Sequence, residues 1–151
     1  MAGNATGYVA KCGGALTRSA VYTASTAVNG NGVNTTGFTH ATAIVAIGTV
    51  TGVGSSTLTF KVQESNDNAV SDPYADITGA TTTALSMADT TYSNATVAIV
   101  VNLLSGSRKK WLRLVATPSA HAVDAKTAGM IALTEGDASV PTSSTYIRVV
   151  V

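Results

Sequence analysis

The sequence predicts an all-β protein, an antiparallel β-sandwich or jelly roll of about eight strands with little or no helix. Three observations lead to this prediction. Charged residues make up only 11% of the chain, against about 25% in ordinary globular domains. Many positions hold β-branched Thr and Val, which favour strands, or Gly and Ser, which favour turns. Short stretches of alternating apolar and polar residues recur about every ten residues, a spacing typical of sandwiches.

The first third of the chain contains a lead-in, a short strand, a loop and a long strand. Residues 1–18 are small, Gly-rich and weakly patterned, which indicates an extended arm or lead-in. Residues 19–151 are assigned to one sandwich domain, and SAVYTA at 19–24 is its first strand candidate. VNGNGVNTTG at 28–37 is a turn-rich loop. The long strand, 38–50, has two faces: His40, Thr42, Ile44 and Ala46 on one, and Thr39, Ala41, Ala43, Val45 and Ile47 on the other.

The middle of the chain, TLTFKVQESNDNAVSDPYADITGA at 57–80, predicts a strand, an excursion and a second strand. Leu58, Phe60 and Val62 alternate with polar residues, which is the period of a half-buried strand. A loop of Asn, Asp, Ser and Pro follows, and a second strand starts at 74–77. A weaker strand is expected at 80–85, and the only helix candidate is a turn near 84–89.

The last third predicts a hairpin and two more strands. Residues 94–104 alternate with Val97, Ile99, Val101 and Leu103 on one side. Residues 110–117 place Leu112, Leu114 and Ala116 inward and Trp111, Arg113 and Val115 outward. The turn LSGS between them suggests that the two strands pair as a hairpin. The remaining strands are 128–134 and 145–151, with Pro141 between them. The apolar segment YIRVVV is either an ordinary final strand or one that reaches a neighbouring subunit.

Two charged clusters are the candidate polar sites. The loop 64–76 holds Glu64, Asp67, Asp72 and Asp76, and it is either a solvated turn, which we favour, or a cation site. It does not follow the EF-hand pattern, because Asp72 and Thr78 occupy the sixth and twelfth positions counted from Asp67. Whether the loop binds an ion stays open.

The basic cluster at 108–111 is either a charged hairpin end or a contact to an acidic protein surface. The arm and the final strand are the other candidate interfaces. The candidate interface residues are Tyr8, Arg108, Lys109, Lys110, Trp111, Tyr146, Arg148 and Val151.

Several function classes lack support in the sequence. A net charge of +1 gives no strong field for nucleic acid or an anionic membrane. No apolar run approaches the roughly 18 residues of a membrane span, and no leader is recognisable, so synthesis in a cytoplasm is expected. Cys12 is the single cysteine, and His40 and His121 lack zinc-site spacing. No G-x-S-x-G motif is present. We therefore predict no catalytic residue, cofactor or metal.

One stretch resembles a known pattern. It consists of Val62-Gln63-Glu64-Ser65, then Asn66-Asp67-Asn68, Tyr74, Asp76-Ile77 and Gly79-Ala80. It resembles structural proteins of tailed bacteriophages, in which a strand ending in Gln-Glu-Ser leads through an Asp/Asn loop to an aromatic, Asp-Ile and Gly-Ala. Trp is frequent in that family where Tyr74 stands here. KKWLRLVATPSA is similar to the Arg-containing strand that often follows.

The resemblance implies a non-enzymatic sandwich protein made in the host cytoplasm and assembled into a virion. The most specific expectation is a capsid decoration or cement protein on the capsid surface. Its partners would be the major capsid protein and further copies of itself, as a dimer or trimer. The pattern also occurs in tail and baseplate proteins, so a tail, baseplate or head–tail joining role is the alternative. A carbohydrate-binding or adhesin-like module is the alternative of another class, for which exposed aromatics are few.

Overall fold

The computed structural model describes residues 11–18, 21–52, 54–106, 108–119, 121–135 and 146–150. These residues contain eleven β-strands and no helix, and hence no helix long enough to cross a membrane. The strands are β1 (Lys11–Arg18), β2 (Val28–Asn29), β3 (Val33–Asn34), β4 (His40–Gly52), β5 (Thr57–Ser65), β6 (Ala75–Thr81), β7 (Leu85–Ser86), β8 (Thr96–Asn102), β9 (Trp111–Pro118), β10 (Val123–Thr134) and β11 (Tyr146–Val150).

The strands form two sheets, which confirms the all-β, sandwich-like fold. Sheet A has the order β1-β10-β4-β8-β11. Sheet B has the order β2-β9-β5-β6, and the two-residue strands β3 and β7 pair with β9 and β5. The strand pairs are antiparallel except for β11, which runs parallel to β8.

The core lies between the sheets and is built from the apolar positions of the alternating strands. Phe60 and Leu58 of β5 are fully buried, as are Leu112 and Leu114 of β9. Sheet A contributes a matching set of inward side chains: Ala41, Ala43, Val45, Ile47, Val97, Ile99, Val101, Ile131 and Leu133. The predicted division of β4, β5 and β8 into two sides is confirmed, and so is the predicted inward side of β9. The strand, excursion and strand expected over 57–80 are also present, as β5, a loop and β6.

The predicted hairpin of 94–104 and 110–117 is wrong. β8 pairs with β4 and β11 in sheet A, whereas β9 pairs with β5, β2 and β3 in sheet B. The connection between them crosses from one sheet to the other. An alternating pattern identifies which side of a strand is buried, but it does not identify the neighbouring strand. The side chain of Val115, on the outward side of β9, is nevertheless 1% exposed.

Residues 11–24 also differ from the expectation. Lys11–Arg18, within the predicted lead-in, form an edge strand that pairs with β10. The alternation is hidden because the register shifts between Gly13 and Leu16, and Gly14 adopts φ +65°, which glycine tolerates best. Residues 19 and 20 of the strand expected at 19–24 lie outside the described residues, and in the described part, 21–24, a single bridge joins Tyr22 to Val123.

Two smaller corrections concern loops. The predicted loop 28–37 contains β2 and β3, which pair with β9. The turn expected to be helical near residues 84–89 begins instead with the extended pair Leu85–Ser86, which pairs with β5.

Candidate interaction surface

The acidic loop after β5 is organised around the carboxylate of Asp67. This carboxylate accepts hydrogen bonds from the Ser71 hydroxyl at 2.5 Å and from the backbone N–H groups of Ser71 at 2.8 Å, Val70 at 3.1 Å and Asp72 at 3.1 Å. These bonds, the Ser71 hydroxyl foremost, lower the pKa of Asp67 to about 2, because they favour the charged form. The loop therefore behaves as a turn closed by its own carboxylate.

The basic cluster lies against this loop. The Lys109 ammonium is 2.8 Å and 2.9 Å from the two carboxylate oxygens of Asp72. The hydrogen bond from Lys109 is the main reason that the pKa of Asp72 is lowered. Glu64 accepts a hydrogen bond from the Lys109 backbone N–H at 3.2 Å and lies 3.7 Å from the Arg108 guanidinium. The two charged clusters of the sequence thus neutralise each other.

The outer face of sheet B is a continuous polar network. Asp76 accepts hydrogen bonds from Lys61 at 2.8 Å and from Gln63 at 2.6 Å, and these bonds, Lys61 first, lower its pKa. Arg113 donates to Gln63 at 2.8 Å and stacks on the ring of Tyr74, with the guanidinium carbon 4.3 Å from the ring centroid. Lys61, Gln63, Asp76 and Arg113 on this face therefore have partners within the chain, whereas the buried hydroxyl of Thr117 has none.

A shallow depression of about 420 Å³ lies beside this network. It is lined by Thr59, Lys61, Asp76, Ile77, Thr78, Gly79, Thr81 and Thr117. None of these side chains is aromatic, so the depression offers no flat ring on which a sugar could stack.

The outer face of sheet A has a different character. The strand registers place its outward side chains in three rows that run across the sheet. We call these described side chains the apolar face: Cys12, Ala132, Thr42, Val100 and Val150 in one row, Met130, Ile44 and Ala98 in the next, and Thr17, Ala128, Ala46 and Thr96 in the third. No charged residue is among these described side chains; at the β11 edge the register partners of Ala98 and Thr96 are Arg148 and Tyr146.

The apolar face is partly open to solvent. Met130 is 47% exposed and Val150 is 58% exposed, while Ile44 between strands β10 and β8 is half-buried. Polar residues border the face at both ends: Asp124 and Lys126 on β10, and His40, Asn102 and Thr134 at the opposite end of the sheet. A flat apolar patch with a polar border is typical of a protein interaction site.

The predicted interface residues do not form one surface. Arg108 and Lys109 lie in the paired cluster described above, Lys110 is exposed, and Trp111 is half-buried at the start of β9 in sheet B. Tyr146 and Arg148 belong to the edge strand β11 of sheet A. Tyr8 and Val151 lie outside the described residues. Their role in an interface stays a prediction.

The apolar face was not recognised as a unit in the sequence. One signal was available: TVAIVV at 96–101 is continuously apolar after its first residue, as expected for a strand covered on both faces. A second was the outward side of β4, which carries Ile44 and Ala46 where charged residues are common. The rows themselves depend on the pairing of five strands that are distant in sequence.

Comparison of the sequence with models of known protein families and with curated proteins finds no match. Within the described residues, no group of three or more His, Cys, Asp and Glu side chains could hold a metal ion. The surface features of the described chain are therefore a face on sheet B with ion pairs inside the chain, and a face on sheet A whose described side chains carry no charge.

Proposed function

We propose that this chain is a non-enzymatic structural protein of a tailed-phage virion, which binds the outer surface of the capsid and stabilises it. The observation that supports this most directly is the apolar face on the outside of sheet A, whose described side chains carry no charge and which has a polar border. Such a patch suits a protein contact better than a small-molecule site, because it is flat and lacks converging polar groups. The resemblance over residues 62–80 supplies the virion context.

The size of the face indicates how such a protein would act. The rows hold twelve positions on five strands, each about 6.7 Å along a strand and about 4.8 Å across it, and therefore cover roughly 400 Å². Thr42, Ala98 and Val100 within this area are already buried. A stable contact between two proteins needs about 800 Å² from each partner. One face alone therefore suits a weak contact. Copies that are linked to each other would bind with higher avidity, since later contacts form at high effective concentration.

The carbohydrate-binding alternative has less support from the geometry. Tyr74 and the half-buried Trp111 are the described aromatic residues on the outer side of sheet B. The Tyr74 ring is already stacked with Arg113 while its hydroxyl donates to Asn68 at 2.7 Å, which leaves a single partly buried ring. A sugar platform needs an aromatic face that is free to stack. The tail or baseplate alternative uses the same kind of protein contact, so it is distinguished by experiment.

The experiment uses virions whose genome encodes this chain. Capsids and tails are separated, and each is mixed with purified chain and sedimented. We expect the chain to bind capsids. Met130→Glu should weaken this binding at least about tenfold, because it would bury an unpaired carboxylate in the contact. Thr78→Glu, at an exposed position on β6 of sheet B, is the matched control and should change binding by less than about twofold.

Binding to tails alone would contradict the capsid role, and specific binding to a glycan array without capsid binding would contradict a virion contact altogether. If Met130→Glu and Thr78→Glu weaken binding equally, the apolar face is not the surface that binds the capsid.

A further inference from the structure

Strand β11 holds a distinctive place in the described fold. It lies at the edge of sheet A, and its five residues pair in parallel with β8, from Tyr146 opposite Thr96 to Val150 opposite Val100. It also lies against β6 of sheet B, and Val149 packs against the core. The strand therefore closes one side of the sandwich.

The edge of β8 needs such a strand. Ala98 and Val100 are 0% and 4% exposed although they are on the outward side of β8, and their register partners on β11 lie beside them. Without β11, a row of backbone N–H and C=O groups along an apolar strand would lack partners. The β8 edge is thus an acceptor for one strand of defined direction and register.

In the structure β11 pairs with β8 of its own chain, and the strand directions set the distance between the end of β10 and the start of β11. β8 and β10 run in the same direction, because both are antiparallel to β4. β10 ends at Thr134, level with the end of β8, because Thr134 pairs with His40 and His40 with Asn102. β11 begins beside Thr96, at the start of β8.

The link from β10 to β11 must therefore return along the length of β8, about 20 Å, and pass three strand spacings, about 14 Å. The straight separation is about 25 Å. Twelve Cα–Cα steps join Thr134 to Tyr146, and an extended chain of that length reaches about 40 Å. The link is long enough to reach the chain's own β8 with slack, and hence also the β8 edge of a copy placed beside it.

We propose that β11 is exchanged between copies, so that β11 of one chain pairs with β8 of a second chain. The contacts made at the β8 edge are the same in both arrangements, so the exchange changes only the link and whatever new contacts form between the copies. Val150 belongs to the apolar face, so exchange places a residue of each copy in the apolar face of the other. Any new contact between apolar side chains of the two copies adds to the exchanged form and is missing from the closed chain.

The test uses the register of β8 and β11. Val100 and Val150 are Cα partners on the same side of the sheet, a separation that a disulfide can span. One chain carries Val100→Cys and a second, differently tagged chain carries Val150→Cys, both with Cys12→Ser to remove the exposed native thiol. The two chains are unfolded together, refolded, oxidised mildly and separated without reductant.

Exchange predicts a covalent heterodimer, in up to about half of the material if the assembly is a reciprocal dimer formed from equal amounts. Light scattering should give a mass of at least twice the chain mass of 15.2 kDa. The control replaces Val100→Cys by Ala46→Cys, which is exposed on β4 of the same face but is not adjacent to β11. It should give little heterodimer.

Two results together refute the exchange. The mixed chains give no heterodimer above the Ala46→Cys control, and a single chain that carries both Val100→Cys and Val150→Cys forms the disulfide as a monomer. This test does not depend on the virion role. Capsid binding can fail while exchange is observed, and exchange can fail while capsid binding is observed.

Discussion

The buried pair Tyr22 and Thr127 gives a quantitative test of the packing. Tyr22 is fully buried, and its backbone exchanges hydrogen bonds with Val123 at 2.7 Å and 3.1 Å. Its phenol hydroxyl is hydrogen-bonded to the hydroxyl of Thr127, which is 3% exposed. Burial raises the pKa of the Tyr22 phenol, so the phenol is neutral at ordinary pH. Two neutral hydroxyls therefore satisfy each other in the interior.

Removing one hydroxyl leaves the other buried without this partner. Tyr22→Phe keeps the ring and should lower the free energy of unfolding by about 1–3 kcal/mol, and Thr127→Val, which keeps the shape, should do the same. The double variant removes both polar groups and should be less destabilised than the sum of the single variants by about 1 kcal/mol or more. For a chain of this size, each single variant should lower the Tm by roughly 2–12 °C.

Denaturant unfolding monitored by the fluorescence of Trp111 and by circular dichroism measures these changes. The m-value should stay constant across the four proteins, since the exposed surface on unfolding is unchanged. Tyr92→Phe, at a half-buried tyrosine, is the control and should change stability by less than about 0.5 kcal/mol. Losses that add to within about 0.5 kcal/mol in the double variant would refute the paired hydroxyls.

Two other predictions concern a glycine in β10 and the acidic loop. Gly129→Ala would place a Cβ 2.7 Å from a methyl carbon of Leu114 and 3.1 Å from the carbonyl oxygen of Ile44, so it should lower stability by about 1–3 kcal/mol in thermal unfolding; an unchanged Tm would contradict the close packing. The folded-state pKa of Asp67, about 2, is below its ordinary value of 3.8, so its contribution is complete above about pH 4 and is lost as the pH falls towards 2. Asp67→Asn should lower the protection factor of the Ser71 amide at pH 5, that is, the ratio of its intrinsic to its observed exchange rate, with little further loss of protection on acidification; a wild-type protection factor at pH 5 would refute the role of the carboxylate.

The parts of the fold that were predictable are those in which one strand carries its own signal. Phe60 and Val62 alternate with Lys61 and Gln63, and the structure buries the first pair and leaves the second half-exposed. Period-two alternation is a direct consequence of strand geometry, so it can be read without knowing the neighbours.

The parts that were missed depend on residues distant in sequence. β8 and β9 are neighbours along the chain, but the partners that place them in different sheets are β4 and β5, tens of residues away. The ion pair of Lys109 with Asp72 joins two clusters separated by 37 positions. β1 was missed for a local reason, since its bulge at Gly13 and Gly14 breaks the alternation that would have identified it.

The two faces of the sandwich constrain how copies of this chain can associate. Charges on sheet B are satisfied within the chain by partners such as Asp76 for Lys61, so a second protein placed there would have to compete with existing bonds. Burying Met130 and Ile44 on sheet A displaces only water from apolar surface. A single apolar face falls short of the area for stable docking, and exchange of β11 would join two such faces into roughly 800 Å². Variants that block the exchange without altering the face should therefore weaken capsid binding through lost avidity, whereas Met130→Glu should weaken it even in the exchanged assembly.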